Sequence, residues 1–340
     1  MKAVRLHHYA EHPVVEEVAE PKITNPHDVI VRIGGAGLCR TDLHVIEGQL
    51  KEKNGPLPFT LGHENAGWVH EIGSAVSNVA VGDTVIVHPV ASCGFCRACR
   101  AGDDTHCSNS SFPGISNDGG MADLLKTNAR AIVKLDSSLA PKDIAALADA
   151  GLTAYHAIKK AVAHLYPGTK AVVIGAGGLG HIGIQCLKAL TPAEIIVLDR
   201  SPEALEMARS WGADHTILSD GSQVAQVKDH TDGQGAEAII DFVGEGSAVE
   251  DGVAMLRRAG NYYVIGYGGR LNMLTHDIIS TEINFIGNLV GTYNDLTELM
   301  TLTAQGKVTL HTITYPLAAA LDAIHDLDTG KLHGRGILIP

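Results

Sequence analysis

A chain of 340 residues is long enough to form two domains with separate hydrophobic cores. Hydrophobic residues make up 45% of the sequence and charged residues 19%, a composition that excludes a disordered or fibrous protein. The formal net charge of −12 argues against nucleic acids and anionic membranes as partners. Because the sequence has no basic-then-apolar leader and no run of 18 apolar residues, we expect neither export nor a membrane span, and a cytoplasmic protein is the default.

The first 135 residues or so are predicted to form a β-rich unit. Short apolar runs alternate with turn signals over residues 28–33, 67–72, 83–89 and 131–135. Many strands joined by glycine-rich turns, with little helix between them, indicate a compact, barrel-like arrangement.

One group of metal-capable side chains in this unit comes from two separate stretches. Cys39 opens the run CRTDLH, and His63 and Glu64 close the run LGHE. Cysteine and histidine suit zinc, but a catalytic zinc needs a third protein ligand and one open position. The alternative is that Cys39 is a buried structural thiol and His63 a hydrogen-bonded surface histidine.

A second group consists of four cysteines at CxxCxxCx7C spacing. Cys93, Cys96, Cys99 and Cys107 can close a tetrahedral zinc site that leaves no position for a substrate, so such a site would be structural. An iron–sulfur cluster and two disulfides are the alternatives. A reducing compartment favours zinc over disulfides.

Residues 140–162 are predicted to be helical, with an interruption at Gly151. Asp149 sits at that interruption between alanines, where an acid is costly unless it is paired or coordinated. The residues alone leave two interpretations of Asp149 open, a helix-capping acid and a metal ligand.

The stretch from residue 170 to 199 predicts a strand, a glycine turn, a helix and a second strand. The turn has the sequence GAGGLG, which lets the backbone lie against a pyrophosphate while helix and strand approach closely. Asp199, at the end of the second strand, would accept hydrogen bonds from an adenosine ribose and repel a 2′-phosphate, which favours NAD. Arg200 follows directly and leaves some tolerance of NADP open.

Residues 170 to about 290 predict six strand–helix repeats in a doubly wound parallel sheet. The predicted strands lie near 171–174, 195–199, 215–218, 238–242, 262–266 and 284–289. The strand ends at Phe242–Val243 and Gly266–Tyr267 would border the crevice in which a dinucleotide lies.

The tail that begins near residue 291 is too short to be a domain, so we expect it to complete the first unit. Arg335, just before the last strand, is a candidate partner for a cofactor phosphate. The sequence therefore predicts one domain from 1–152 with 291–340 and a second from 153–290.

Together these motifs resemble the zinc-containing medium-chain alcohol dehydrogenases over essentially the whole chain. The resemblance is carried by CRTDLH, LGHE, CGFCRACRAGDDTHC, ADAGLTAYHA, GAGGLG with its distal acid, and the terminal GRG. Closest in pattern are those bacterial NAD-dependent secondary-alcohol dehydrogenases that use an aspartate as third zinc ligand, where many relatives use cysteine. The resemblance implies a Rossmann domain, a GroES-like catalytic domain, and a catalytic zinc held by Cys39, His63 and Asp149.

The resemblance also implies roles for further residues. Thr41 and His44 would relay the substrate's proton to solvent, and Glu64 would lie behind the metal. Asp42 would orient His63. Contacts to the cofactor would come from Arg40, Thr153, Gly175, Gly177, Gly178, Leu179, Gly180, Asp199, Arg200, Phe242, Val243, Gly266, Tyr267, Asn288, Leu289, Val290 and Arg335.

We therefore expect an enzyme with two zinc ions per subunit that transfers a hydride between NAD(H) and an alcohol/carbonyl pair. Its small-molecule substrates would be secondary or aryl-alkyl alcohols and the matching ketones or aldehydes. The family resemblance also implies a homotetramer, with the last strand of the parallel sheet at a subunit interface.

Three other functions are alternatives to this one. A polyol or sugar dehydrogenase of the same superfamily shares every motif. A non-catalytic NAD-binding protein would not need the intact set Cys39, Thr41, His44, His63 and Asp149. A zinc-stabilised nucleic-acid binder conflicts with the negative net charge.

Overall fold

The computed structural model describes residues 1–332 and 334–340. The described chain divides into two compact units, one of Met1–Leu152 with Thr292–Pro340 and one of Thr153–Gly291. The assignment of a catalytic and a cofactor-binding role to these segments stays a prediction. Among the described residues, no helix is both long and apolar enough to cross a membrane.

The strands and helices are numbered along the chain. The strands are β1 (Lys2–Leu6), β2 (Val14–Glu17), β3 (Asp28–Leu38), β4 (Phe59–Thr60), β5 (Glu64–Ile72), β6 (Thr84–Val87), β7 (Leu124–Asn128), β8 (Ile132–Lys134), β9 (Lys170–Ile174), β10 (Glu194–Asp199), β11 (His215–Leu218), β12 (Ala236–Asp241), β13 (Leu256–Val264), β14 (Asn284–Gly287), β15 (Thr312–Pro316) and β16 (Arg335–Ile339). The α-helices are α1 (Arg40–Ile46), α2 (Arg97–Arg100), α3 (Pro141–Ile144), α4 (Ala150–Ala161), α5 (Gly180–Leu190), α6 (Pro202–Trp211), α7 (Gln223–His230), α8 (Ala248–Met255), α9 (Thr275–Thr281), α10 (Tyr293–Ala304) and α11 (Ala320–Asp328).

The first unit is built on two mainly antiparallel sheets. One sheet has the order β15-β16-β3-β5-β6-β8, with β7 also paired to β3, and the smaller sheet has the order β2-β1-β4. Buried aliphatic side chains from both sheets form one core, which includes Val4, Leu38, Val85 and Leu125. The C-terminal strand β16 pairs antiparallel with β3, so the tail completes the sheet that leads to Cys39.

Two glycines bend the central strand β3. Its register against β5 shifts at the Gly34–Gly35 pair, and a Cβ on Gly34 would lie 2.6 Å from the Trp68 ring. A bulge of this kind re-aims a strand without ending it. As a result β3 continues to Leu38, beyond its predicted end at residue 33, and delivers Cys39 to the start of α1.

The second unit contains a six-stranded, wholly parallel sheet. Its strand order is β11-β10-β9-β12-β13-β14, and the direction of winding reverses beside β9, so β9 lies between β10 and β12. This is the doubly wound order of dinucleotide-binding folds, in which ligands bind at the carboxyl ends of the strands on either side of the reversal. The α/β fold class predicted from the sequence is confirmed.

Two further predicted elements differ from the structure. The predicted helix over 140–162 is divided into α3, a 3₁₀ segment at Ala145–Ala148, and α4, with Asp149 at the break (φ −127°, ψ −58°). The predicted strand over 284–289 ends at Gly287. There the Asn288 side chain donates to the backbone carbonyl oxygens of Val264 and Ile286, and Val290 has a φ of 50°, which a strand does not allow.

Candidate metal and dinucleotide sites

Four potential metal ligands converge in the first unit. One ligand atom from each of Cys39, His63, Glu64 and Asp149 lies within 4.8 Å of the others. Cys39 is supplied by the end of β3, and His63 and Glu64 by the start of β5, which pairs with β3 through Gly37 and Glu64. Asp149 is presented by the break before α4, two residues ahead of the predicted interruption at Gly151, which lies inside the helix.

Several polar atoms at this centre are buried without a well-formed hydrogen bond to the described residues. His63 Nε2 lies 3.4 Å from Asp149 Oδ2, and His63 Nδ1 lies 3.2 Å from Asp42 Oδ1. Both ring nitrogens of His63, Asp42 Oδ1 and Asp149 Oδ1 nevertheless lack a well-formed hydrogen bond within the described part of the chain. An unsatisfied buried polar group costs about 1–3 kcal/mol, so a cation bound by these nitrogen and oxygen atoms would offset that cost.

The electrostatics of the centre also favour a cation. Burial opposes protonation of His63, but the Asp42 carboxylate, Asp149 and Cys39 together hold the pKa of His63 well above its usual range. An environment that stabilises a proton on a buried imidazole stabilises a metal cation for the same reason. The thiol, imidazole and carboxylate present are the ligand types that bind zinc, so the residues fit that ion.

Glu64 links this centre to the C-terminal tail. Its Oε1 accepts a hydrogen bond of 2.9 Å from the backbone N–H of Ala150, and its Oε2 contacts the Arg335 guanidinium. Burial raises the pKa of Glu64, and the charge of Arg335 opposes that shift. A Cβ on Gly37 would fall 2.2 Å from Glu64 Oε2, so only glycine leaves room for this carboxylate. Arg335 was predicted to contact a cofactor phosphate; that contact stays a prediction.

Helix α1 carries the other predicted catalytic residues. Asp42 Oδ2 accepts a 2.9 Å hydrogen bond from the backbone N–H of Cys39, which fixes the start of the helix. The Thr41 hydroxyl group lies 3.7 Å from Cys39 Sγ, next to the metal-ligand cluster. His44 is three residues further along the same helix and is therefore a surface neighbour of Thr41. Arg40 is exposed at the first helical position.

The four cysteines of the second group also form a cluster, with all four sulfur atoms within 4.8 Å of one another. The Sγ atoms of Cys96 and Cys99 are 3.5 Å apart, far longer than a disulfide bond of about 2.05 Å, and all four thiols are free. Backbone N–H groups of Cys99 and Ser108 lower the pKa of the Cys96 thiol to about 6. The geometry supports four-thiolate metal binding over the disulfide alternative.

The glycine turn of the second unit joins β9 to α5. Gly175 has a φ of 92°, which disfavours any other residue, and a Cβ on Gly180 would lie 1.8 Å from the Gly175 carbonyl oxygen. A Cβ on Gly177, by contrast, would meet no atom within 4 Å. The turn therefore packs tightly where Gly175 meets Gly180 and leaves open space at Gly177, as a phosphate-binding turn requires.

Asp199 lies in a cleft beside this turn. Its Oδ2 accepts a 2.7 Å hydrogen bond from the backbone N–H of Ala176, and its Oδ1 accepts one of 2.8 Å from that of Ser201. The cleft has a volume of about 260 Å³. Of the predicted cofactor residues, Gly175, Asp199, Arg200 and Val243 line it.

The remaining predicted cofactor residues lie on several elements. Within the second unit Thr153 is on α4, Phe242 follows β12, Gly266 and Tyr267 follow β13, and Asn288, Leu289 and Val290 follow β14. The sequence analysis did not assign five polar residues that line the cleft, namely Ser219, Gln223, Glu245, Ser247 and Asp251. No local motif joins these residues, because the strand order that brings them together is not visible in the sequence.

The structural role proposed for the second cysteine group predicts the outcome of Cys96→Ser. The variant should lose one zinc equivalent per chain and melt at least about 5 °C below the wild type, because the cation holds the lobe together. Cys186→Ala removes a buried thiol outside both clusters and should retain both equivalents. Elemental analysis and differential scanning calorimetry give the two readouts, and unchanged melting of Cys96→Ser would refute a structural metal here.

Two family models match this chain. Residues 25–137 match the alcohol dehydrogenase GroES-like domain, and residues 178–305 match the zinc-binding dehydrogenase domain. The first match covers much of the β-rich unit, and the second covers much of the parallel-sheet unit. The expected combination of a GroES-like domain with a Rossmann domain is thereby confirmed.

Individual relatives are similar over the full length. An NAD-dependent alcohol dehydrogenase of Sulfolobus acidocaldarius is 36% identical over 99% of both chains, and a D-arabinose 1-dehydrogenase (NADP(+)) of Saccharolobus solfataricus is 35% identical over 100% of this chain and 97% of the relative. The crystal structure of the alcohol dehydrogenase of Aeropyrum pernix superposes with a TM-score of 0.96 at 44% identity, covering 100% of both chains. With both domain models matched and relatives this similar end to end, the chain belongs to the zinc-containing medium-chain alcohol dehydrogenases.

Proposed function

We propose that this protein catalyses NAD-dependent interconversion of alcohols, preferably secondary or aryl-alkyl alcohols, and the corresponding ketones or aldehydes. The observation that carries the proposal is the cluster of Cys39, His63 and Asp149, in which histidine and carboxylate atoms lack a well-formed hydrogen bond among the described residues, in a chain that also has an open glycine turn. The curated relatives named as alcohol dehydrogenases support the alcohol substrate class.

The ligand set explains what a metal would contribute. A zinc ion held by Cys39, His63 and Asp149 would keep one coordination position for the hydroxyl group of an alcohol and lower the pKa of that group. The thiolate and the carboxylate each carry one negative charge, which offsets the charge of the ion. NAD, bound along the glycine turn, would accept the hydride.

The chain's own residues then hold the ligands and move the proton. Asp42 orients the His63 ring through Nδ1, and Glu64 fixes the backbone beside Asp149 through the Ala150 N–H. Thr41 is the residue of α1 next to the ligand cluster, so we assign its hydroxyl group as the first acceptor of the substrate's proton. His44, one helical turn further along, would pass the proton to solvent.

A sugar or polyol dehydrogenase is the second candidate function. One full-length relative is named for D-arabinose and NADP(+), so identity within this family does not by itself decide the substrate. Initial rates of NADH formation with a panel of secondary alcohols, aldoses and polyols separate the two. Higher kcat/KM for the sugars would overturn the preferred assignment.

We further propose a cytoplasmic homotetramer. Within the described residues β14 pairs only with β13, and in the chain segment that precedes β14 the side chains of Leu274 and Ile279 are 70% and 75% exposed. An exposed edge strand with apolar neighbours is an aggregation hazard that a second subunit would cover. Sedimentation velocity at micromolar concentration would find a monomer if the proposal is wrong.

The metal centre predicts separate effects on turnover and on cofactor binding. Cys39→Ser and His63→Ala should each lower kcat for alcohol oxidation by at least about a thousandfold. The reason is that a cation that helps to deprotonate the alcohol lowers the free energy of the transition state by several kcal/mol. NADH should still bind, since the glycine turn lies in the other unit. Fluorescence titration measures NADH binding, and Cys186→Ala is the matched control with full activity. Near wild-type turnover in either variant would contradict the proposed mechanism.

Asp199 predicts the cofactor preference. Asp199→Asn keeps an oxygen that can accept from the Ala176 N–H but removes the charge that repels a 2′-phosphate, so kcat/KM for NADP relative to NAD should rise roughly tenfold or more. Asp214→Asn is a suitable control, because Asp214 accepts a similar backbone bond from Ile195 outside the residues that line the cleft. An unchanged ratio in Asp199→Asn would show that another residue sets the preference.

A further inference from the structure

A buried carboxylate beneath the dinucleotide cleft has no role in the function described so far. Asp241 is the last residue of β12 and is fully buried. Its Oδ1 accepts hydrogen bonds from the backbone N–H groups of Val243 (2.8 Å) and Gly244 (2.9 Å), and its Oδ2 accepts one of 2.7 Å from the Tyr262 hydroxyl group. Among the described residues it forms no ion pair within 4 Å.

The phenol of Tyr262 is held as a donor to this carboxylate. Tyr262 is on β13, which lies beside β12 in the sheet, and its side chain is buried. Burial and the neighbouring Asp241 charge raise the pKa of Tyr262, so the hydroxyl group keeps its proton. The same oxygen lies 3.4 Å from the carbonyl oxygen of Ala248 at the start of α8.

The turn that Asp241 holds is packed against the cofactor-binding backbone on two sides. A Cβ on Gly175 would lie 2.7 Å from Val243 Cγ2, and a Cβ on Gly266 would lie 2.3 Å from the Val243 backbone. The Asp241 carbonyl oxygen also accepts the N–H of Gly266 at 2.9 Å. A small displacement of the turn would therefore change the floor of the cleft, which Val243 lines.

We propose that Asp241, locked by Tyr262, is a positioning residue that sets the Val243–Gly244 turn against the glycine turn and so determines how tightly the dinucleotide binds. The inference rests on the proposed function, because it needs a dinucleotide in this cleft. It adds a determinant of affinity that touches neither the zinc ligands nor the cofactor. The carboxylate acts through its acceptor oxygens, since two of its three bonds come from backbone N–H groups.

The chain offers a matched pair of substitutions to test this role. Tyr262→Phe removes the donor to Asp241 Oδ2 and should weaken NADH binding by about five- to tenfold, because a buried acceptor is left unpaired and the turn shifts. Tyr263→Phe is the control on the same strand. It removes a buried hydroxyl group that lies 3.4 Å from the Lys160 carbonyl oxygen, and its NADH Kd should stay within twofold of wild type.

Substitutions of Asp241 itself separate the loss of acceptors from the loss of charge. In Asp241→Asn the amide oxygen can still accept from Val243 and Gly244 while the amide nitrogen donates to the phenol oxygen, so the Kd should stay within about threefold. Asp241→Leu removes all acceptors and should weaken binding by more than about tenfold. If that variant does not fold, Tyr262→Phe and Asp241→Asn still decide the question.

The readouts are the NADH Kd from fluorescence titration, the KM for NAD and kcat at saturating NAD. The proposal expects the NADH Kd and the KM for NAD to rise together in Tyr262→Phe while kcat changes by less than twofold. A merely structural role would instead lower the melting temperature of Tyr262→Phe without raising Kd and KM. Equal Kd values for wild type, Tyr262→Phe and Tyr263→Phe would overturn the proposal, as would binding to Asp241→Asn as weak as to Asp241→Leu. Failure of the wild type itself to bind NADH would instead refute the proposed function, and this inference with it.

Discussion

The structure of the first unit depends on an electrostatic constraint at the centre of its larger sheet. A thiol and an imidazole are buried beside a half-buried carboxylate, all three from distant parts of the chain, and several of their nitrogen and oxygen atoms lack a well-formed hydrogen bond among the described residues. Such an arrangement is unfavourable in an apolar interior unless a cation compensates it. The surrounding polar residues would support such a cation. Asp42 orients His63, Glu64 holds the backbone beside Asp149, and Arg335 balances the charge of Glu64.

The backbone that assembles this centre is shaped by glycines. The Gly34–Gly35 bulge re-aims β3 toward Cys39, and Gly37 leaves room for Glu64 where β5 pairs with β3. In the second unit, Gly175 and Gly180 allow β9 and α5 to approach, and Gly177 leaves the surface open. In both units, therefore, the absence of a side chain on glycine leaves room at the sites where binding and catalysis are proposed.

Local patterns in the sequence predicted the parts of this molecule that depend on local interactions. The alternation of apolar runs and turns predicted the strands, and GAGGLG predicted the tight turn, because both are governed by neighbouring residues. The residues alone left Asp149 undecided between a capping acid and a ligand, and the structure brings it to Cys39 and His63 through contacts 86 to 110 positions apart in the chain. The role of Asp241 could not be predicted from local patterns either, because its partner Tyr262 is on the adjacent strand of the sheet and no motif joins the two.

The most direct test of the central claim is an anomalous difference map from crystals of the protein, measured on either side of the zinc absorption edge. The account predicts one peak within about 2.3 Å of Cys39 Sγ and about 2.1 Å of His63 Nε2 and an Asp149 oxygen, and a second peak among the four clustered cysteines. A map with a peak only at the four cysteines, and none between Cys39, His63 and Asp149, would contradict the account.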